Sequence, residues 1–208
     1  MVKRGFTLVE MLVVMGIIAV LISASLGGYS AMVKAAERAK CQELVSNAAT
    51  ALTAIFQNEG VWPKVLRENG AKDGLLDENS ALALVSNGRN YFSLTKNGSK
   101  LGGHDKWGIV TPWAAAVIKR LGEHAKPESP VGSKTVKDHI LHYAVDLDGD
   151  GKIIGASVGG QSVNVRATAI VWCCGKDGNV DPYPYVSGGG GKTDNVYSWT
   201  PAQTRDVE

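Results

Sequence analysis

The residues best placed to do chemistry are Asp146-Leu147-Asp148-Gly149-Asp150-Gly151, with carboxylates at alternate positions and glycine at the sixth. Hard oxygen ligands at that spacing converge on a calcium ion where the chain turns sharply. An EF-hand needs Glu at position twelve and helices on both sides, whereas Ser157 stands at twelve and the flanks alternate as strands do. Two readings follow. One is a calcium-binding hairpin with Asp146, Asp148 and Asp150 as ligands and Asp177 or Asp181 as candidates to complete it. The other is an acidic turn that water solvates. The expected cofactor is calcium or none.

Three cysteines, Cys41, Cys173 and Cys174, are too few for a disulfide scaffold, and an odd number leaves one unpaired or paired to another chain. Cys173 and Cys174 are adjacent, so on a strand they point to opposite faces, implying one buried thiol and one available for a disulfide. Neighbouring thiolates chelate one ion poorly, which argues against a metal there. Gly188–Gly191 with Lys192-Thr193 superficially resembles a phosphate loop. Val186 stands where the spacing needs glycine, and DNVYSW follows where a helix should begin, so nucleotide binding is excluded. His139 and His142 fall on opposite faces of a strand, and His104 lies in a loop with no nucleophile beside it. No catalytic grouping emerges, and the chain reads as something other than an enzyme.

Glu10 is a different kind of signal. It interrupts FTLVEMLVVMGIIAVLISASL, Phe6–Leu26, whose other residues are all apolar or small and polar. At about 1.5 Å per residue this run is just long enough to cross a hydrocarbon core of about 30 Å. Lys3 and Arg4 precede it, which places the amino terminus in the cytoplasm and the remainder outside. A carboxylate at the centre of such a span costs about 2.5–3.5 kcal/mol, and less near the interface. The span has no Lys, Arg or His, so a positive partner for Glu10 would be a new α-amino group at Phe6 after a cut following Gly5. Supplied by a neighbouring subunit, that amine would set stagger. The plainer reading is a Glu that snorkels to the interface.

Gly5-Phe6-Thr7-Leu8-Val9-Glu10, behind a short basic leader and ahead of an apolar run, resembles the prepilin signal shared by type IV pilins and type II secretion pseudopilins. The resemblance implies cleavage after Gly5 by a membrane aspartyl peptidase, methylation of the new amino terminus at Phe6, and a part for Glu10 in assembly. It implies sister subunits, the prepilin peptidase, an inner-membrane assembly platform and membrane lipid as partners. It places the protein in a bacterial inner membrane, carboxy-terminal domain in the periplasm, and then in a periplasmic or extracellular filament. The implied function is a structural subunit of a type IV pilus or type II secretion-like system. The alternative is a minor pilin-like, membrane-anchored binding or adhesion protein.

Weaker likenesses lie downstream. Asp105-Lys106-Trp107-Gly108 resembles the Asp-Pro-Trp-Gly box of pseudopilin-like proteins, with Lys106 replacing proline. Gly175-Lys176-Asp177-Gly178 resembles their Gly-x-Asp-Gly segment, and Asp194–Trp199 their closing Asp-Asp-Ile-x-x-Trp stretch. Calcium sites in pseudopilin carboxy-terminal regions add to the calcium reading of the Asp146 loop.

The elements that must position these residues follow from periodicity. After Leu26 the apolar residues Tyr29, Met32, Val33, Ala36, Cys41, Leu44, Val45, Ala48, Leu52, Ile55 and Phe56 recur at helical spacing until Gly60 and Pro63 stop the pattern. One helix is expected, with a membrane half over 6–27 and an amphipathic half over 28–58, behind a leader at 1–5. Gly27-Gly28, each costing about 1 kcal/mol against alanine, marks either a weak point or a close-packing site, where many pilins carry a proline. Residues 59–208 form a globular head with helices near Asn79–Val85, capped by Asn79 or Ser80, and after Thr111-Pro112. His139–Asp146, Lys152–Val158 and Val163–Cys173 alternate with period two and predict an antiparallel meander, followed by a loop-rich tail. The fold class is α+β, pilin-like: a long amino-terminal helix on a small antiparallel sheet, with short extra helices.

Charge sets a last limit. Removing Lys3 and Arg4 leaves 20 of the 22 basic residues, equal to the 20 acidic ones. A neutral body without a long basic block excludes a nucleic-acid partner.

Overall fold

A computed structural model of the chain describes residues 7–85, 91–92, 108–181, 183, 194–204 and 207, apart from the side chains of 24–28 and 123. The chain forms two units, one ending at Ala39 and one comprising Lys40–Glu208.

The first unit is helical from Leu8 onward. Helix α1 runs Leu8–Glu59, unbroken through Gly27-Gly28, and enters the second unit at Lys40. Every residue from Leu8 to Ser23 is exposed, including Leu8 at 81% and Val20 at 68%. Ser23 stays compatible with an apolar surface because its Oγ donates to the Ala19 carbonyl at 2.8 Å, one turn back. Among the described residues no helix is long and apolar enough to cross a membrane. The apolar run described with side chains stops at Ser23, short of the about 20 residues a crossing takes.

In the second unit α1 buries a stripe at steps of three and four: Cys41, Leu44, Val45, Ala48, Ala51, Leu52 and Ile55. The helix stops where Gly60 takes φ 70° and donates its N–H to the Phe56 carbonyl at 2.8 Å. Short helices α2 (Lys64–Asn69) and α3 (Glu78–Ala83) add Leu66 and Ala81 to the same core. The α3 cap is Asp77, whose side chain accepts the Ser80 N–H at 2.9 Å, so the helix starts ahead of the expected Asn79 or Ser80. Helix α4 (Pro112–Leu121) begins at Thr111-Pro112 as the sequence predicts. It packs a separate cluster of Ala114, Ile118, Val131, Val136 and Ile140, over the hairpin of β2 (Pro130–Val131) and β3 (Lys134–Thr135).

The main sheet orders β1 (Gly74–Leu75), β4 (His142–Val145), β7 (Ala169–Cys173) and β8 (Val196–Tyr197), all antiparallel. Register puts Tyr143 opposite Val171 and Cys173 opposite Val196, on the face packed with the α1 stripe. Ala144 opposite Ile170, with Trp172, faces the other way. The expected meander is absent. Instead β5 (Ile153–Val158) and β6 (Gln161–Val165) pair as a separate hairpin turning at Gly159-Gly160, and cover the second face of the sheet. The run Val163–Cys173 is two strands, since Arg166–Thr168 breaks it and β7 pairs back onto β4. All five β7 residues are buried because this strand is covered on both faces. The architecture is mixed α+β, an amino-terminal helix with antiparallel sheet and short helices, compatible with a pilin-like fold.

Candidate functional site

At the amino terminus Gly5 and Phe6 lie outside the described residues. Glu10 lies within them, exposed, and among the described residues its partner is Thr7. Its Oε2 accepts both the Thr7 backbone N–H and the Thr7 hydroxyl, each at 2.8 Å. The Glu10 N–H donates back to Thr7 Oγ1 at 3.3 Å. With Leu8 as the first helical residue, Thr7 is the N-cap and Glu10 the third position, a reciprocal capping box. Thr7-x-x-Glu10 carries this signature in the sequence, and reasoning that sought only a positive partner passed over it. The box satisfies two backbone N–H groups that the first turn leaves without helical partners.

The second place is the loop from Asp146. Asp146 is buried at 1% exposure, and its Oδ1 and Oδ2 accept the N–H groups of Gly149 at 2.8 Å and Gly151 at 2.7 Å. Both glycines hold positive φ, 80° and 79°, which wraps the loop round the carboxylate. The Trp62 indole N–H donates to the Asp146 carbonyl, and Trp62 stacks on Phe56 at 5.0 Å. The loop is thereby held against the end of α1. Ligand atoms of Asp146, Asp148 and Asp150 lie within 4.8 Å of one another, with Asp148 and Asp150 exposed. Asp177 and Asp181, expected as further ligands, are not in this group. Two carboxylates about 5 Å apart repel by about 1 kcal/mol in water, which a solvated turn tolerates and a divalent cation would turn to attraction. The donor set, hard oxygens on a glycine-shaped loop, fits calcium.

The third place is the thiols. Cys41, Cys173 and Cys174 are all free and all buried, so the expected division into one buried and one available thiol does not hold. Their strand directions do differ. Cys173 faces α1, where the Cys41 thiol hydrogen-bonds it and, together with burial, pushes it well above the ordinary thiol value. Cys174 points the other way, donating to the Asp138 carbonyl at 3.2 Å and lying 3.5 Å from His139 Nδ1. Burial pushes the Cys174 thiol up to about 12, so it is no nucleophile. His139 sits in a turn ahead of β4, not on the strand with His142, and Thr111 Oγ1 meets its Nδ1 at 3.0 Å. Burial lowers the His139 pKa; the Val131 backbone, Asp138, Asp177 and Asp194 oppose that less strongly.

The scattered downstream segments are structural where described. Asp105–Trp107 and Gly188–Gly191 lie outside the described residues. Gly108 takes φ 87° with the Leu76 carbonyl where a Cβ would stand. The N–H of Gly175 donates to Asn195 Oδ1 at 3.2 Å, and that of Lys176 to Asp194 Oδ2 at 2.6 Å. The turn after β7 and the approach to β8 are therefore one unit.

Residues 1–26 match the prokaryotic N-terminal methylation motif. This is the prepilin-type signal of type IV pilins and pseudopilins. No curated protein and no solved structure matches the chain. A prepilin-type signal marks a membrane-anchored precursor associated with a pilus or pseudopilus, one that undergoes processing and joins other pilin-type subunits. It points to a structural subunit and not to an enzyme. The Thr7–Glu10 capping box lies within the prepilin-type signal, and so does the start of α1.

Proposed function

We propose that this chain is the precursor of a structural filament subunit, a pilin or pseudopilin of a type IV pilus or type II secretion-like system. One observation carries the reading: the methylation motif over residues 1–26 opens a helix whose large apolar side chains, Leu8 to Ile22, are exposed among the described residues. An apolar surface of that extent needs lipid or sister helices. Residues 6–27 are the membrane stretch, within which α1 begins, and 28–58 the amphipathic half of the helix. Cleavage after Gly5 frees the Phe6 amine for methylation, and Glu10 then sets register with the amino terminus of a neighbouring subunit. Residues 59–208 remain outside the inner membrane as the filament's coat. Removing the helix from lipid exchanges one apolar environment for another, so an external motor acting through the assembly platform must supply the work.

Two measurements test this. Mass spectrometry of the mature protein should give an amino terminus at N-methylated Phe6. Filaments imaged from cells carrying Glu10→Ala should be absent or depleted of this subunit; unchanged filament content would end the subunit reading. A copy number of one or a few per filament would favour the minor, surface-binding alternative.

The Asp146 loop adds a calcium-dependent element. Asp146, Asp148 and Asp150 would hold the ion, which would supply positive charge that cross-links the loop. Calorimetric titration of the full chain in detergent that gives no heat at millimolar calcium would remove this element.

A further inference from the structure

Cys41 lies in the buried stripe of α1, and Cys173 lies on β7, the strand at the middle of the sheet. Both are 0% exposed and both belong to the core between helix and sheet. Cys173 shares the helix-facing side of the sheet with Val196, so both thiols look into the one core that the α1 stripe and the sheet close between them. Cys174 is turned to the other side and already engaged with the Asp138 carbonyl and His139. Register makes this division firm: Cys173 pairs with Val196 on the helix-facing side, and the next residue must face the reverse way. Of the three pairings that three cysteines allow, two require β7 to turn one residue over or to kink at a vicinal bridge. Only Cys41 with Cys173 leaves the strand as it is.

We propose that Cys41 and Cys173 form a disulfide that fastens α1 to the central strand, and that Cys174 stays a free thiol. The oxidant is a disulfide-bearing donor. One thiolate of the pair attacks a donor sulfur, forming a mixed disulfide and releasing one donor thiolate. The second thiolate attacks this chain's sulfur in the mixed disulfide, forming the Cys41–Cys173 bond and releasing the other donor thiolate. The two cysteine thiols lose two protons and two electrons, and the donor disulfide is reduced to a dithiol. Because both sulfurs are sealed in the core, exchange precedes the docking of α1 on the sheet, and reductant reaches the bond only when the core opens. The pairing follows from the geometry alone. Its presence in cells rests on the proposed export, since only an oxidising compartment keeps such a bond.

Refolding the full chain in detergent with oxidised and reduced glutathione tests the pairing independently of filament assembly. Free thiols are blocked under denaturing conditions and peptides mapped by mass spectrometry without reduction. The expected result is one blocked cysteine, Cys174, and one linked pair of peptides containing Cys41 and Cys173. Cys174→Ser should leave the link intact, and Cys41→Ser or Cys173→Ser should abolish it. Three blocked thiols, or a link that includes Cys174, would overturn the proposal. As Cys→Ser can unfold a core, Cys41→Ala and Cys173→Ala serve as the second pair, read by circular dichroism before mapping. If the link forms in the refolded chain but is missing from protein recovered from cells, the export reading fails and the pairing stands.

Discussion

Asp146 is where the geometry makes its sharpest demand. Its carboxylate, 1% exposed, accepts two backbone N–H groups at 2.8 and 2.7 Å. Asp146→Asn preserves shape and one acceptor but turns an amide N–H2 toward the second backbone N–H. A hydrogen bond to a charged group contributes about 1.5–3 kcal/mol net, and an unsatisfied buried donor costs about 1–3 kcal/mol. We take about 3 kcal/mol for the exchange, which for a chain of this size lowers Tm by about 6–12 °C. Asp148 and Asp150 are exposed, and Asn at either should stay within about 0.5 kcal/mol of the parent when calcium is chelated. The assay is unfolding of the full chain in detergent with chelator, followed by far-ultraviolet circular dichroism. Calcium at 100 times its Kd should then add about 2.7 kcal/mol to the parent, and less to each of the three Asn variants. The reasoning about the loop is refuted if Asp146→Asn unfolds like Asp148→Asn in chelator.

Other consequences can be checked alongside. His139 has a folded pKa below its ordinary 6.5, so its contribution is complete above pH 6.5 and is lost as pH falls toward the folded value. Unfolding stability should therefore fall as pH drops below 6.5, and His139→Asn should remove that dependence in unfolding titrations. Gly108→Ala meets both positive φ and the Leu76 carbonyl, and should cost at least about 2 kcal/mol. Gly60→Ala, also at positive φ but with nothing within 4 Å of the added Cβ, should cost about 1 kcal/mol; equal losses would disprove the steric argument. Thr7→Ala removes the capping box and should raise exchange of the Met11 amide about fivefold, equivalent to about 1 kcal/mol. Closing a loop of about 130 residues, the Cys41–Cys173 bond should raise unfolding stability by up to about 5 kcal/mol, lost on reduction in urea.

The elements with long or strong periodicity could be read from the residues, and the short ones could not. The α1 stripe announced itself by apolar residues at helical spacing, of which Cys41, Leu44, Val45, Ala48, Leu52 and Ile55 are buried while Tyr29 and Met32 are exposed, and Thr111-Pro112 announced α4 by its cap and first-turn proline. The two-residue strands β1 and β8 have too few residues to show a period, and they exist because β4 and β7 offer hydrogen-bonding edges. The Asp146 loop was legible as a carboxylate pattern, but the burial of Asp146 and the clamp from Trp62 were not, since Trp62 lies 84 residues away in the chain. The meander failed for a related reason: alternation says that a segment is a strand, not which strand it pairs with.

By itself the sequence determined the amino-terminal signal, the apolar helix and its conversion to an amphipathic spine. These are local matters, set by residue type and spacing along one helix and carried by a motif of contiguous residues. Only the tertiary structure decided that β7 lies between the α1 face and the β5–β6 hairpin. It alone decided that Cys173 faces Cys41 while Cys174 faces His139. Strand pairing and burial are settled by how much apolar surface distant segments remove from water together, a sum that no short window of the chain contains.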